Sequence, residues 1–313
     1  MREYILNQRK EIKRQLGHLI DNDYVLLNLP YHYNIGDVII WEGEMSFLKT
    51  LPYRCLDFSS FSPTHTIDKE SIILLHGGGN FGDLYRVHQE FRLGIISQYP
   101  SNKIIMFPQS VCYQDEAFIE HDARIMSKHN NLYLCARDLP SYNFLKTHFN
   151  SNNILLVPDM AFCISDEYLS KFVNRAKNKK LFLYRTDKEL NVNKCITIPS
   201  GYDQRDWPTC NKTEIVPLLL AYFDDKIRNS NKKKPLLDSL IKWYAKNIFR
   251  PYMVKKGFSF IGGYNEIITT RLHGLIVSTL LEKKVSYVDN ISGKLSSYVN
   301  TWLNDVVNIQ KYK

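Results

Sequence analysis

The 313-residue chain predicts a mixed α/β protein built as two doubly wound lobes facing a cleft. Short apolar runs alternate with amphipathic stretches through the first half, the pattern of parallel strands joined by crossover helices. The same rhythm returns in the second half. Between the halves, the polar and charge-rich stretch 166–179 shows no strand pattern. The length suits two domains of ~100–200 residues. The lobes are therefore expected over residues 1–165 and 180–313, with 166–179 as linker.

Taken in order, the N-terminal segment predicts a helix that buries Ile5, Ile12, Leu16 and Leu19 on one face. It is too charged for a signal peptide. Residues 24–29 (YVLLNL) read as a buried strand, followed by the loop 30–37. Val38, Trp41, Met45 and Leu48 then recur at helical spacing. Residues 71–76 form a second strand, followed by a glycine loop and a helix to about Gln98. Strands are expected at 103–107, 131–135 and 153–157, with a helix over 136–148. In the second half, strands at 180–184, 195–198, 258–261, 266–269 and 285–288 accompany helices near 213–228 and 236–255.

Composition narrows the function classes. With 44% hydrophobic and 23% charged residues, usage is ordinary for a globular protein and excludes a disordered chain. No uncharged apolar run approaches the ~18–20 residues that span a bilayer. The longest, 215–223 and 272–281, are sized for a core. The six cysteines are scattered without a CxxC, which argues against a zinc ribbon or disulfide framework and predicts a cytoplasmic protein. Twenty Tyr and 16 Phe suit clefts that hold sugar rings. A net charge of +9 suits phosphorylated substrates or an anionic membrane face. Its peaks at 175–180 and 232–234 lack the aromatic interleaving of a nucleic-acid reader, so no nucleic-acid partner is expected.

Candidate chemistry falls at the expected carboxyl ends of strands, where such sheets bind ligands. In Asn34-Ile35-Gly36-Asp37 the glycine supplies a turn, and Asp37 is either a helix N-cap or a cleft carboxylate. In His76-Gly77-Gly78-Gly79-Asn80 the glycines either admit an anion close to the backbone or simply make a turn. Lacking GxGxxG order and a P-loop lysine, this is neither a dinucleotide nor a Walker site. Arg137, in Ala136-Arg137-Asp138, either grips a carboxylate or phosphate with its planar fork or pairs with Asp138 or another acid. Val157-Pro158-Asp159 ends a strand with an acid that reads more readily as a cap or turn. In Thr269-Thr270-Arg271-Leu272-His273-Gly274, Arg271 and His273 lie two apart, so an extended segment turns both to one side. Together they make an anion clamp beside a proton donor that titrates near neutrality. The segment 288–294 offers Asp289, Asn290 and Lys294 to a hydroxyl-rich ligand, or forms an ordinary turn. The histidines are dispersed and no HExxH or paired carboxylates occur, so no metal is expected.

In order and spacing, NIGD, GGGN, Pro108-Gln109-Ser110, ARD, VPD, TRLHG and DNISGKLSSYVNTW make the chain resemble the polysaccharide pyruvyl transferase family from about Asn28 to Leu303. The resemblance implies two Rossmann-like lobes similar to GT-B glycosyltransferases. It also implies transfer of pyruvate from phosphoenolpyruvate, a co-substrate rather than a cofactor, onto two hydroxyls of one sugar as a cyclic ketal. The family's catalytic histidine corresponds to His273, its partner arginine to Arg271 and the arginine of its RD segment to Arg137. Leu272, Gly78, Gly79 and Asn80 are expected to join them at phosphoenolpyruvate, and Asp37, Asp289, Asn290 and Lys294 to hold the acceptor. That acceptor is expected to be a hexose of a capsular or exopolysaccharide repeat unit on a lipid carrier, with the basic surface holding the protein at the inner membrane face. Residues 185–207 show no family pattern. The alternative is a nucleotide-sugar glycosyltransferase of the same shape, although RLHG stands where a ribose-binding carboxylate belongs. A non-catalytic polysaccharide-binding subunit is a third reading, against which Arg137, Arg271 and His273 argue.

Overall fold

The computed structural model describes residues 1–61, 63, 66–173, 179–187, 189, 199–209, 214–228, 235–289 and 293–312. The first sheet contains β1 (Tyr24–Leu27), β2 (Cys55–Phe58), β3 (Ile72–Leu75), β4 (Gly78–Gly82), β5 (Ile104–Cys112), β6 (Leu132–Ala136) and β7 (Asn153–Leu156). Its order is β2-β1-β3-β5-β6-β7, with β4 also paired to β5. The second sheet contains β8 (Lys180–Leu183), β9 (Tyr202–Arg205), β10 (Glu266–Thr269), β11 (Lys284–Tyr287) and β12 (Ile309–Lys311), in the order β12-β11-β10-β8-β9. All pairings are parallel. The mixed α/β class with parallel sheets is thus observed. β1 and β3 are buried along their whole length, which is why YVLL and IILL are unbroken apolar runs.

The helices are α1 (Arg2–Leu16), α2 (Ile35–Leu48), α3 (Arg86–Gln98), α4 (Glu116–Met126), α5 (Leu139–His148), α6 (Asp166–Val173), α7 (Ile215–Arg228), α8 (Pro235–Tyr244), α9 (Arg250–Gly262), α10 (Leu272–Leu280) and α11 (Lys294–Trp302). As expected, α1 buries Ile5, Ile12 and Leu16, with Gln8 beside them. Residues of both sheets share one apolar core: Leu26, Leu74 and Ile105 of the first and Leu181, Ile267 and Val285 of the second. Where α2 and α9 cross, the α9 backbone lies directly against α2 side chains. A Cβ at Gly257 of α9 would lie 2.5 Å from Ile35 Cγ2 of α2, so only glycine permits that crossing.

Several expectations are corrected. The glycine segment is a strand, because β5 continues to Cys112 and gives β4 a partner beyond the end of β3. Gly78 and Gly82 take the positive φ values, +135° and +117°, that this pairing requires. Residues 258–261 lie in α9, where Met253, Val254, Phe258 and Ile261 recur at helical spacing; a short apolar run does not separate strand from helix. The strand expected at 195–198 lies outside the described residues. Within 166–179, α6 forms and buries Leu169 and Phe172. The run 215–223 is core on one face only: Leu220 is buried, with Val216 and Phe223 packed beside the core, while Ile215, Leu218, Leu219 and Tyr222 are exposed. The edge strands β2 and β9 carry little strand signal: CLDF is a short run broken by Asp57, and YDQR is polar.

Candidate active site

Loops at the carboxyl ends of strands from both sheets line one cavity of about 490 Å³, within the ~300–1,000 Å³ usual for small-molecule sites. Asn34 and Asp37 enter after β1, Gly79 and Asn80 on β4, Arg137 after β6, Arg185 after β8, Trp207 after β9, and Arg271, Leu272 and His273 after β10. The N-termini of α2 and α10 also reach it, adding the partial positive charge of unpaired N–H groups.

Behind the cavity wall, beneath Arg137 and His273, lies Asp159, only 1% exposed. Its Oδ2 accepts a hydrogen bond from Arg137 Nη1 at 2.8 Å and lies 3.4 Å from His273 Nε2. Its Oδ1 accepts from Ala161 N, capping the 3₁₀ turn that follows. Burial alone would raise this carboxyl, but His273 and Arg137 outweigh it and hold it well below the usual carboxylate range. Arg137 also donates from Nε to Ser110 Oγ at 2.9 Å, and Ser110 in turn donates to Asp138. Asp138 is therefore the cap of α5 and the anchor of Ser110, not the partner of Arg137.

Two glycines make this cluster possible. A Cβ at Gly36 would sit 2.6 Å from His273 Nδ1, so the α2 backbone lies directly against the imidazole. A Cβ at Gly79 would sit 3.0 Å from Arg137 Nη2 and 3.1 Å from Lys294 Nζ, so the two cations converge on that residue. Lys294 donates to Gly79 O at 3.1 Å and to Glu189 at 3.2 Å. Behind β4 the buried Arg92 donates to Asn80 O and to its side-chain oxygen. Burial pushes Arg92 down to about 9.

The second wall is an ionic mesh. Arg271 donates from Nε to Asp206 at 2.5 Å and from Nη2 at 2.7 Å, and lies 3.1 Å from Asp187. Arg185 binds Asp187 at 2.8 Å and Glu189 at 3.0 Å. The remaining rim is aromatic: His32, Tyr33, Tyr85, His88 and Trp207. Burial pushes His88 down to about 3, with Arg92 adding to the effect. Burial also lowers His32, against the pull of Asp37.

Of the candidate residues, Asp37, Gly79, Asn80, Arg137, Arg271, Leu272, His273 and Lys294 line the cavity. Gly78 supports it from within β4, 3.8 Å (as a built Cβ) from Asp37 Oδ1. Asp289 does not line it: its carboxylate accepts from Ser296 N at the start of α11 and faces Lys311. Asn290 lies outside the described residues. Asp37 is not the cap of α2; Asn34 is, accepting from Gly36 N, and its Nδ2 donates to Asp37 at 2.8 Å. Arg271 caps α10 in extended backbone while His273 lies inside the helix, so the two are not alternate residues of one extended segment. Arg185, Asp187, Glu189, Asp206 and Trp207 were not anticipated. Only Arg185 carried a signal, an arginine directly beyond a predicted strand. Among the described residues no cluster of three His, Cys, Asp or Glu suits a metal.

One cavity thus gathers arginines, a lysine and a histidine from the loops of two parallel sheets, beside an aromatic rim. The family model of polysaccharide pyruvyl transferases matches residues 34–292, and the chain belongs to that family of transferases. It is 31% identical over 303 residues to EpsO of Bacillus subtilis (strain 168), described as a candidate pyruvyl transferase, covering 94% of this chain and 91% of that one. It is 29% identical over 301 residues to pyruvyl transferase 1 of Schizosaccharomyces pombe (strain 972), covering 89% and 69%. A crystal structure of an uncharacterized protein from Klebsiella pneumoniae shares the fold, with a TM-score of 0.66 at 18% identity over 98% of this chain and 99% of that one. Among the described residues no helix is long and apolar enough to cross a membrane.

Proposed function

We propose that this protein transfers the pyruvyl group of phosphoenolpyruvate onto two hydroxyls of one sugar in a polysaccharide repeat unit borne on a lipid carrier. Catalysis occurs in a GT-B-like cleft between lobes 1–165 and 180–313. The observation that carries this reading is the single Asp159 oxygen against which Arg137, from the first sheet, and His273, from the second, both rest. Phosphoenolpyruvate brings a carboxylate and a phosphate on a three-carbon frame. Arg137, Lys294 and Arg271, which line the cavity and are themselves largely buried, supply matching cations. Gly78, Gly79, Asn80 and Leu272 shape the donor pocket. Asp37, ionised beside His32, and the aromatic rim receive the sugar.

His273, as imidazolium aligned by Asp159, gives its proton to the methylene carbon of the donor. The C=C electron pair forms the new C–H bond, leaving cationic character at C2. A sugar hydroxyl bonds to C2 and surrenders its proton to Asp37. The C2–O bond to phosphate breaks, phosphate departs, and the second hydroxyl closes the ring, its proton leaving with phosphate; the proton taken up by Asp37 then passes to solvent and His273 regains one from solvent. One donor and one diol thus yield one ketal and one inorganic phosphate.

The test is phosphate release from phosphoenolpyruvate in the presence of candidate sugars, with the product read by mass for the added pyruvyl group. Release that depends on sugar supports the reading; a glycoside formed from a nucleotide sugar without phosphoenolpyruvate overturns it. His273→Gln should cut turnover by ~10²–10⁴-fold, the usual worth of a general acid, with the thermal midpoint nearly unchanged. An unaltered rate rejects the role of His273.

A further inference from the structure

We infer that the outer face of α7 and α8 is a docking surface for an anionic lipid bilayer, an inference that rests on the reading of a lipid-borne acceptor given above. Among the described residues, large exposed apolar side chains concentrate here: Ile215, Leu218, Leu219 and Tyr222 on α7, Leu236, Leu240 and Trp243 on α8, then Ile248. On each helix they recur at i, i+3 or i+4, and i+7, so each helix turns an apolar stripe to solvent while burying Leu220 or Ile241 on its other side. Leu236 is 88% exposed and Ile215 71%. Exposed apolar surface on this scale marks an interaction site rather than scattered surface residues.

The chemistry of the flanks selects the partner. Exposed lysines stand beside the stripes: Lys226, 4.5 Å above the Tyr222 ring, Lys246, one turn beyond Trp243, and Lys255 on the following helix. Tryptophan and tyrosine at the level of lipid headgroups, aliphatic side chains below them and lysines snorkelling to phosphate are the recognition pattern of interfacial helices. A second copy of the chain is the poorer occupant, because it would bring the same lysines and the same net charge of +9 against this face. The two helices are also tied to the first sheet. Asp224 of α7 accepts a hydrogen bond from Ser60, and Lys242 of α8 pairs with Asp57, both at the β2 edge. Trp207 lines the cavity only eight positions before Ile215, at most about 28 Å of extended chain. A sugar carried on a membrane lipid would thus have at most about that span to cross between the docked face and the cavity.

The test uses the full chain with vesicles of phosphatidylcholine alone or with one part in three phosphatidylglycerol. Wild-type protein should sediment with the anionic vesicles at low salt, and less so at high salt, where the lysine contribution is screened. Leu240→Ser/Trp243→Ser should weaken that binding by about tenfold or more, and Lys226→Glu/Lys246→Glu should abolish the preference for phosphatidylglycerol. Both variants should keep the wild-type thermal midpoint and the wild-type rate on a water-soluble acceptor. No binding by the wild type, equal binding by the serine variant, or a dimer in light scattering that this variant converts to monomer overturns the inference. If vesicles bind as expected but no sugar elicits phosphate release from phosphoenolpyruvate, the proposed reaction fails and the docking surface stands.

Discussion

Arg137 and Arg271 each stand directly beyond a parallel strand and each holds a carboxylate, yet their surroundings differ. Arg137 is 2% exposed, its partner Asp159 is 1% exposed, and Ser110 Oγ holds its Nε. Arg271 shares Asp206 and Asp187 with the segment beyond β8, and the Asp187 side chain is 39% exposed. A buried pair keeps its geometry because neither member can exchange its partner for water. A half-exposed carboxylate can be displaced at little cost. The first wall is therefore a fixed cation beside a fixed imidazole, while the second holds its arginines against largely buried Asp206 and Glu189 and against one exposed carboxylate, Asp187, that an incoming anion can replace.

The largest effect is expected where the fixed wall is broken. Asp159→Asn leaves Arg137 buried without its charged partner, and removing one member of such a pair costs about 3–5 kcal/mol. Denaturant unfolding should show that loss, and turnover should collapse because His273 loses its alignment. Retention of both would refute the central place given to Asp159. The pH dependence follows with its sign. Burial raises the Asp159 carboxyl, but His273 and Arg137 bring it below the ordinary 3.8. Its stabilisation is thus complete above about pH 4 and drains as pH falls towards the lower folded value. Asp37 and Asp206 are lowered as well, so the acid limb of the stability curve should become shallower in Asp159→Asn without vanishing.

A subtler break in the same wall is Gly36→Ala. The added methyl would lie 2.6 Å from His273 Nδ1, and the ring must move. Displacement of a reacting group by about 1 Å costs ~10²-fold in rate, so kcat should fall with little change in KM for phosphoenolpyruvate. Gly274→Ala, its counterpart in the second half, meets Thr269 Oγ1 at 2.4 Å and Leu183 Cδ2 at 2.5 Å, at the seat of α10. Overpacking there should cost about 1–3 kcal/mol of stability. Equal kcat losses in the two variants, once corrected for stability, would dissolve the distinction between a glycine that seats the imidazole and one that seats a helix.

The contrast between the walls also explains what could be read in advance. β1, β3 and β6 announce themselves because strands in the interior of a parallel sheet are apolar on both faces, and Arg137 and Arg271 follow from standing just past such runs. Asp159 was visible but ambiguous: it caps a 3₁₀ turn and pairs with Arg137 and His273, and a cap looks the same in sequence whether or not it has a second task. The ionic mesh was not legible. Asp206 follows β9, whose YDQR gives no apolar signal, and Asp187 and Glu189 lie in a polar stretch without a motif. The glycine segment misled because three successive glycines suggest a loop, whereas the partner that makes them a strand is the far half of β5.

The smallest expected effect belongs to the exchangeable wall. Asp187→Asn removes one carboxylate from Arg271 and one from Arg185, leaving Asp206 and Glu189 in place. Because the side chain is 39% exposed, the change in stability should stay within about 1 kcal/mol. If the donor's anionic groups displace Asp187 when they bind, removing its charge lowers the competition for both guanidinium groups. KM for phosphoenolpyruvate should then fall a few-fold while kcat holds. A rise in KM would mean that Asp187 positions the arginines rather than yielding them, and the second wall would be as rigid as the first.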